Sequence, residues 1–515
     1  MAAYVDADAV YKEVLTAGDT ILTNPDLAPT PVSQRKWTWW HFSTLWMGMV
    51  HNIFNFTWVG GLVAIGMSIP QALAIAIVGS LIQAAMIGLT GKVGARHGIP
   101  FAVWARTAFG TYGANIIALL RGGVAIGWFG VQSYLAALAI NLLLSTVFPA
   151  WKAMGSSSTL GLANNFWIAM VIYWLLNFLV IRHGMETVRR FEVWAGPMVF
   201  VVMIALVIWA VSVGGGIGPI FSSPSKYSMT TYLEYAFIPG VALFIAGSWA
   251  TMVLNIPDLT RFARSNREQF WGTMIGLPLA QTVYYVMAAI IVSATYIMFH
   301  KALWNPPQVL QAINNPGLSI FGAILLAIAS LSVNIPANIV SPAYDLTNLL
   351  AKYLTFRKGA VIAIIIAFAY APWRLMQSPA TLFSVLDNIG AVLGPATGIL
   401  IADYFIVRKG RIDIKDLYKV DGVYRSLGGF NPVGLGVLIV SWIPLFVGEF
   451  VKSVGFLYDN AWFIGVIMGF VGYLAAVEVV KLVQGKLPTE LTPQGTEGIE
   501  AAELFKAELE RGAEA

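Results

Sequence analysis

The sequence predicts an all-α integral membrane protein with twelve transmembrane helices, and three observations predict it. Of the 515 residues, 58% are apolar and 11% charged, against roughly 45–50% and 25% in soluble domains, so a water-soluble fold would lack the polar side chains to cover its surface. Apolar stretches of about 20 residues, the length that crosses a hydrocarbon core, recur along most of the chain. The basic residues divide unequally between alternate loops, as they do in membrane proteins, whose cytoplasmic loops collect Lys and Arg.

Residues 1–41 are mixed and polar, with Pro25, Pro29 and Pro31 and no apolar core of the signal-peptide kind. They read as a cytoplasmic N-terminal segment, with the first transmembrane helix acting as the targeting signal. Apolar runs between polar or Gly/Pro breaks then place spans at 42–66, 70–90, 115–146, 160–181, 193–213, 232–255, 271–298, 317–350, 359–373, 377–405, 433–451 and 459–480. The transmembrane domain is thus 42–481. With this count Lys152, Lys226, Lys301, Arg374 and Lys452 fall on one side, and the remaining 26 of the 31 basic residues fall on the other. An error of one span in the middle would scramble that division, so it tests the count as well as the orientation. Both termini are expected in the cytoplasm, and the chain in the cell (plasma or inner) membrane. Residues 482–515, rich in Glu, Gly and Ala, read as a cytoplasmic tail and receive no function.

Several function classes are excluded. The net charge of +5 is carried in short loops between apolar runs, not gathered on one face with aromatics, which argues against nucleic acid. With no cysteine there is no disulfide, thiolate metal site or cysteine nucleophile. HExxH, GxSxG and P-loop patterns are absent and five histidines form no metal cluster, so an enzyme is not expected. No repeated pore motif marks a channel filter.

Polar residues inside apolar spans carry the remaining information, because a polar group in hydrocarbon needs a partner or a water-lined cavity. In the first span Gly48-Met49-Val50-His51-Asn52-Ile53-Phe54-Asn55 puts three polar side chains beside a glycine. Either this helix is interrupted for ligand binding, or His51, Asn52 and Asn55 hydrogen-bond neighbouring helices. In the third span Trp128 and Gln132 stand four apart and share a helix face. An indole beside a carboxamide suits a flat heterocycle, though tryptophan is also common in membrane helices. The sixth span holds Ala246-Gly247-Ser248-Trp249, small residues followed by a second indole. The eighth carries Ser330, Ser332, Asn334 and Asn338 around Pro336, a kink that exposes carbonyls or a pair of hydroxyls bonded to their own helix. Asp345, beyond it, is either a paired structural charge or part of a proton path, the structural reading being favoured. Asp387 and Glu449 face the same choice.

At these residues the sequence resembles the nucleobase:cation symporter-1 family, transporters of uracil, cytosine, allantoin, hydantoins and related compounds. The resemblance runs from about Trp37 to Tyr424. Leu45-Trp46-Met47-Gly48-Met49, Trp128-Phe129-Gly130-Val131-Gln132, Asn255-Ile256-Pro257-Asp258, Asn334-Ile335-Pro336-Ala337-Asn338, Ser341-Pro342-Ala343-Tyr344, Gly394-Pro395 and Asp403-Tyr404-Phe405 carry it, in order. It implies the leucine-transporter fold, a 5+5 inverted repeat (42–213 and 232–405) followed by two additional helices within 433–481. No identity between the halves is visible in the sequence itself.

Residue by residue, the resemblance implies Trp128 and Trp249 as the stacking pair around a substrate ring, Gln132 and Asn338 as its edge hydrogen-bond partners, and Asn52 and Ser248 lining the same site. Asn52 stands where the related hydantoin transporter has glutamine, and Ser248 where it has glycine, which suggests a different substrate outline. The family's sodium site maps to Gly48, His51, Ala329, Ser332 and Val333. Val333 stands where the sodium-coupled member has threonine, and a hard cation wants oxygen ligands. The coupling ion is therefore proton or sodium, with the proton favoured by the missing hydroxyl and His51, Asp345 and Asp387 as its candidate carriers. The expected function is a secondary active symporter importing a nucleobase, allantoin or a hydantoin by alternating access. An uncoupled channel or facilitator for the same compounds is the alternative. Beyond the heterocycle, the coupling ion and the lipid bilayer no cofactor or nucleic acid is expected, and the protein is expected to act as a monomer.

Overall fold

The computed structural model describes residues 2–16, 21–51, 53–182, 185–217, 225–300, 303, 306–313, 315–375 and 379–484. Among the described residues ten helices are long and apolar enough to cross a membrane. Two further spans complete the expected twelve. The first is broken into Trp39–Val50 and Ile53–Ala64, each of 12 residues, and the ninth, Phe356–Ala369, has only 14.

The helix boundaries follow local chemistry. The second span, Ile69–His97, opens on a reciprocal cap in which Ser68 and Gln71 exchange side-chain to backbone hydrogen bonds, and it closes on Gly98 at φ 73°. A side chain at Gly98 would also strike the Arg35 guanidinium, so both conformation and space require glycine there. Ser265, Asn315, Thr355 and Asn431 cap the seventh, eighth, ninth and eleventh spans by accepting backbone N–H bonds. The fifth span runs from Met185 to Val213, eight residues earlier than apolar patterning places it.

Three spans depart from α-helical geometry in their interiors, and the tenth closes on a π-helical stretch at Ala402–Val407. The first breaks at His51, at φ −82° and ψ 61°. The sixth breaks at Trp249, at φ −126° and ψ 16°, between Ile238–Ser248 and Ala250–Asn255. The eighth, from Pro316 to Leu349, passes through a π-helical stretch at Ile335–Val340 that contains Pro336. Proline lacks the N–H that would continue the ladder, and π turns of this kind gather at functional positions.

The packing reveals the repeat that sequence identity hides. Neighbour pairs come in twos related by exchanging each of the first five spans with the span five places on: first–seventh and second–sixth, first–fifth and sixth–tenth, first–eighth and third–sixth, fifth–eighth and third–tenth, third–fourth and eighth–ninth. This pairing is what a 5+5 arrangement requires. The twelfth span, Ala461–Gln484, lies along the tenth. Gly394 and Gly398 there face Gly465 and Gly469, and a Cβ at Gly398 or Gly469 would lie 2.1 Å from Val466 O or Pro395 O. Small residues four apart on both helices let the backbones touch. Large apolar side chains such as Leu175, Val201, Ile208, Ile439, Val440 and Ile467 point outward from the fourth, fifth, eleventh and twelfth spans. That surface suits lipid tails and would aggregate in water.

Residues 22–37 lace the face that carries the basic loops. Asn24 donates to the carbonyls of Ala351 and Leu354 at 2.7 and 2.9 Å. Asp26 accepts from Phe356 N, Arg261 reaches Thr30 and Ala28, and Arg35 reaches Thr30 O and Ala95 O. These bonds join the chain ahead of the first span to the ends of the second, sixth, eighth and ninth.

Candidate functional site

Between the two interrupted helices lies a small cavity lined by Asn55, Trp128, Gln132, Gly247, Ser248, Trp249, Thr251, Val333, Ala337 and Asn338. Five of the six residues expected around a heterocycle, Trp128, Gln132, Ser248, Trp249 and Asn338, converge there. The sixth, Asn52, lies outside the described residues.

Each is positioned by a local device. Trp249 sits at the break of the sixth span, so its side chain leaves the helix where the backbone turns aside, and its indole packs edge-on to Trp46 at 5.5 Å. Trp46 in turn donates to Thr273 on the seventh span. Trp128 is half-buried and Gln132 lies one turn further along the uninterrupted third span. The Gln132 amide oxygen is buried without a hydrogen-bond partner, as is the Trp249 indole nitrogen. A buried unpaired polar atom costs free energy of about 1–3 kcal/mol, which a ligand group at this place would recover. Asn338 donates to Asn334 Oδ1 at 2.8 Å, and Asn334 donates to Phe129 O, so the eighth span's amides are fixed against the third.

Ser248 behaves differently from the others. Its hydroxyl donates to Phe244 O at 2.7 Å and accepts from Gln83 Nε2 at 2.6 Å. Its only proton and one acceptor lone pair are engaged within the protein, so Ser248 chiefly shapes the cavity wall. Gln83, a carboxamide in the middle of the apolar second span, also reaches Ile245 O. Sequence reading passed over it, although a carboxamide inside an apolar run is itself a signal of an interior partner. Asn55 closes the break of the first span by donating to Val50 O at 2.9 Å.

The residues of the expected cation set are only partly brought together. Gly48 and Ser332 meet, and Ala329 lies buried one helical turn before Val333. The His51 ring bonds through Nδ1 to Met47 O in its own helix and packs edge-on against Phe200 and Tyr284 at 3.7 and 4.8 Å, while its Nε2 is buried without a hydrogen-bond partner. Val333 lines the cavity between the broken helices. Between Gly48 and Ser332 stands a residue that apolar patterning left outside the membrane: Glu192, from the fifth span, 1% exposed, accepts a hydrogen bond from the Ser332 hydroxyl. A Cβ at Gly48 would lie 2.1 Å from Ser332 Oγ and 2.3 Å from Glu192 Oε2, so glycine there is what admits both groups.

Asp345 is a paired charge. It lies 3.7 Å from Arg121, both fully buried, and Arg121 also donates to Ala337 O beside Asn338. The pair joins the third span to the eighth, and removing either member would leave an uncompensated charge. Arg121, grouped by sequence with the loop cations, belongs to the interior. Asp387 is half-buried on the tenth span.

A repeat of five spans, two helices broken at corresponding places and a cavity between the breaks define a membrane transporter of the secondary class. Residues 29–465 match the family of permeases for cytosine/purines, uracil, thiamine and allantoin, and the chain belongs to that family, the nucleobase:cation symporter-1 permeases. It is 40% identical over 459 residues to the allantoin permease of Bacillus subtilis, covering 89% of this chain and 94% of that protein. It is 33% identical to the purine-uracil permease NCS1 of Arabidopsis thaliana, over 88% and 78% of the two chains. The fold matches that of Mhp1, a nucleobase-cation-symport-1 family transporter solved in a closed conformation with bromovinylhydantoin bound, with a TM-score of 0.75, 24% identity and coverage of 92% and 98%.

Proposed function

We propose that this permease is a cation-coupled symporter that imports allantoin or a closely related ring ureide by alternating access. The observation that carries the reading is the cavity between the two broken helices, lined by the two tryptophans Trp128 and Trp249 and by Gln132, whose carboxamide oxygen is unpartnered. A hydantoin-type ring is flat, with N–H donors and carbonyl acceptors alternating around its edge. Indole faces receive its plane, and the Gln132 oxygen accepts from a ring N–H while the Asn338 carboxamide serves another edge atom. The name of the Bacillus relative supports allantoin over the other compounds of the family.

In this reading Asn52 contributes to substrate recognition, the substrate binds from the outer side, and the helices of one repeat rock against the other to expose the site to the cytoplasm. Both termini lie in the cytoplasm, the membrane is the cell membrane, and the working unit is the monomer. The chain would perform no chemistry, so its rate is that of the rearrangement. The test is uptake into reconstituted vesicles of labelled allantoin, a hydantoin, uracil, cytosine and hypoxanthine, under a sodium gradient and separately a proton gradient. Accumulation of allantoin above its external concentration under one of them is the expected result. Equilibration without accumulation would identify an uncoupled facilitator, and uptake of a nucleobase alone would reassign the substrate.

A further inference from the structure

We infer that Glu192 is the seat of the coupling cation, an inference that rests on the symporter reading above. Its carboxylate sits at the meeting point of the three spans whose relative movement a transport cycle needs. The first span contributes Gly48, three residues before the break at His51; the eighth contributes Ser332, three residues before the π-helical stretch; the fifth contributes Glu192 itself. The fifth span supplies nothing to the cation set that family resemblance implies, so this carboxylate is an addition to it.

Two features point to a positive charge at this place. Glu192 is fully buried, and its Oε1 has no hydrogen-bond partner. Among the described residues no Lys, Arg or His forms an ion pair with it, whereas the buried carboxylates Asp345 and Asp403 have Arg121 and Arg408; Asp258, buried and likewise without an ion pair, sits after the sixth span and accepts from the backbone N–H of Phe101, away from the break of the first span. A buried carboxylate without a counter-charge is among the costliest groups a membrane protein can hold, and such groups are kept where an ion passes. The hydroxyl of Ser332 sets a further oxygen against it, and Gly48, three residues before the helix break, leaves room for both groups. Val333 withholds a side-chain oxygen from the eighth span, and Glu192 restores one and adds a negative charge. One monovalent cation, sodium or proton, makes the cluster neutral.

The cluster couples ion to substrate through the eighth span. Ser332 bonds to Glu192, its neighbour Val333 lines the heterocycle cavity, and Asn338 lies further along the same helix. Filling the cation site therefore fixes the eighth span against the first and fifth in the arrangement that forms the cavity wall. Without the cation, repulsive burial of the carboxylate favours an arrangement in which the fifth span moves off the first.

The test is Glu192→Gln in reconstituted vesicles, beside wild type, with sodium and proton gradients imposed separately and with substrate binding followed by tryptophan fluorescence in detergent. The wild type identifies which cation drives accumulation. Glu192→Gln is expected to bind allantoin, to exchange it for allantoin across the membrane, and to lose accumulation under either gradient, with binding no longer responding to the driving cation. Accumulation by Glu192→Gln equal to wild type overturns the assignment. If that variant fails to fold, Ser332→Ala decides: the concentration of driving cation for half-maximal uptake should rise about tenfold, the scale of losing one hydrogen bond to a charged group, and an unchanged value overturns the assignment. Absence of accumulation in the wild type would instead sink the symporter reading, and this inference with it.

Discussion

At the scale of single residues, the cavity separates side chains whose hydrogen-bonding capacity is spent from those that hold it in reserve. Ser248 gives and accepts within the protein, so Ser248→Gly changes the outline of the wall but removes no group that a ligand needs. Gln132 holds an unpartnered oxygen. Gln132→Ala should therefore weaken allantoin binding about tenfold or more, since an edge contact in a dry site is worth about 1.4 kcal/mol or above, while Ser248→Gly should stay within about threefold by the same scale. Titration of tryptophan fluorescence in detergent measures both, and equal losses in the two variants would show that the ring edge lies elsewhere. The residue that sequence reading missed, Glu192, shows why some of the site was hidden. It follows Arg189 and Arg190, so it looks like the polar end of a loop, and only the early start of the fifth span at Met185 carries it into the interior. Arg121 was obscured for a related reason, because its charge fits the loop pattern until Asp345 is seen opposite.

At the scale of elements, the sequence announces the breaks better than the boundaries. Gly48 to Asn55 and Gly247 to Trp249 mark the first and sixth interruptions because small and polar residues gather where the helical ladder must stop, and Pro336 marks the eighth. What apolar patterning missed is that amphipathic ends extend helices beyond their lipid-facing cores, as in the fifth span. Close packing of the tenth and twelfth spans gives a test at this scale. Gly398→Leu must drive a side chain into the carbonyl of Val466, and overpacking of this kind costs about 1–3 kcal/mol. Its melting temperature in detergent should fall by several degrees, an order of shift that follows from that cost. Gly436→Leu, on the eleventh span, meets nothing within 4 Å and should melt like wild type. Similar melting of both variants would mean that the glycine contacts do not hold the two helices together.

At the scale of the whole molecule, the repeat is legible in how spans pair and not in what residues they share, because a fold preserves contacts long after it has lost identity. Sequence alone therefore gave twelve spans and an uneven charge distribution, and the inverted pairing waited for packing. The lacing by residues 22–37 was also invisible beforehand: a polar stretch with three prolines reads only as a cytoplasmic segment until Asn24, Asp26 and Arg35 are seen bonded to the ends of four different spans. Opening the face that carries the basic loops must break those bonds, so they set part of the balance between open and closed states. Each net hydrogen bond contributes about 1 kcal/mol, roughly a fivefold change in that balance. The chain has no cysteine, so Ala337→Cys, in the cavity wall, places a single thiol where a reagent must pass the laced face to reach it. In that background Asn24→Ala, which deletes the two bonds to Ala351 and Leu354, should raise labelling by a membrane-impermeant maleimide added from the basic side about 25-fold, with labelling from the other side unchanged or slower. Equal labelling with and without Asn24 would mean that the N-terminal lacing rides on the moving helices and leaves their equilibrium alone.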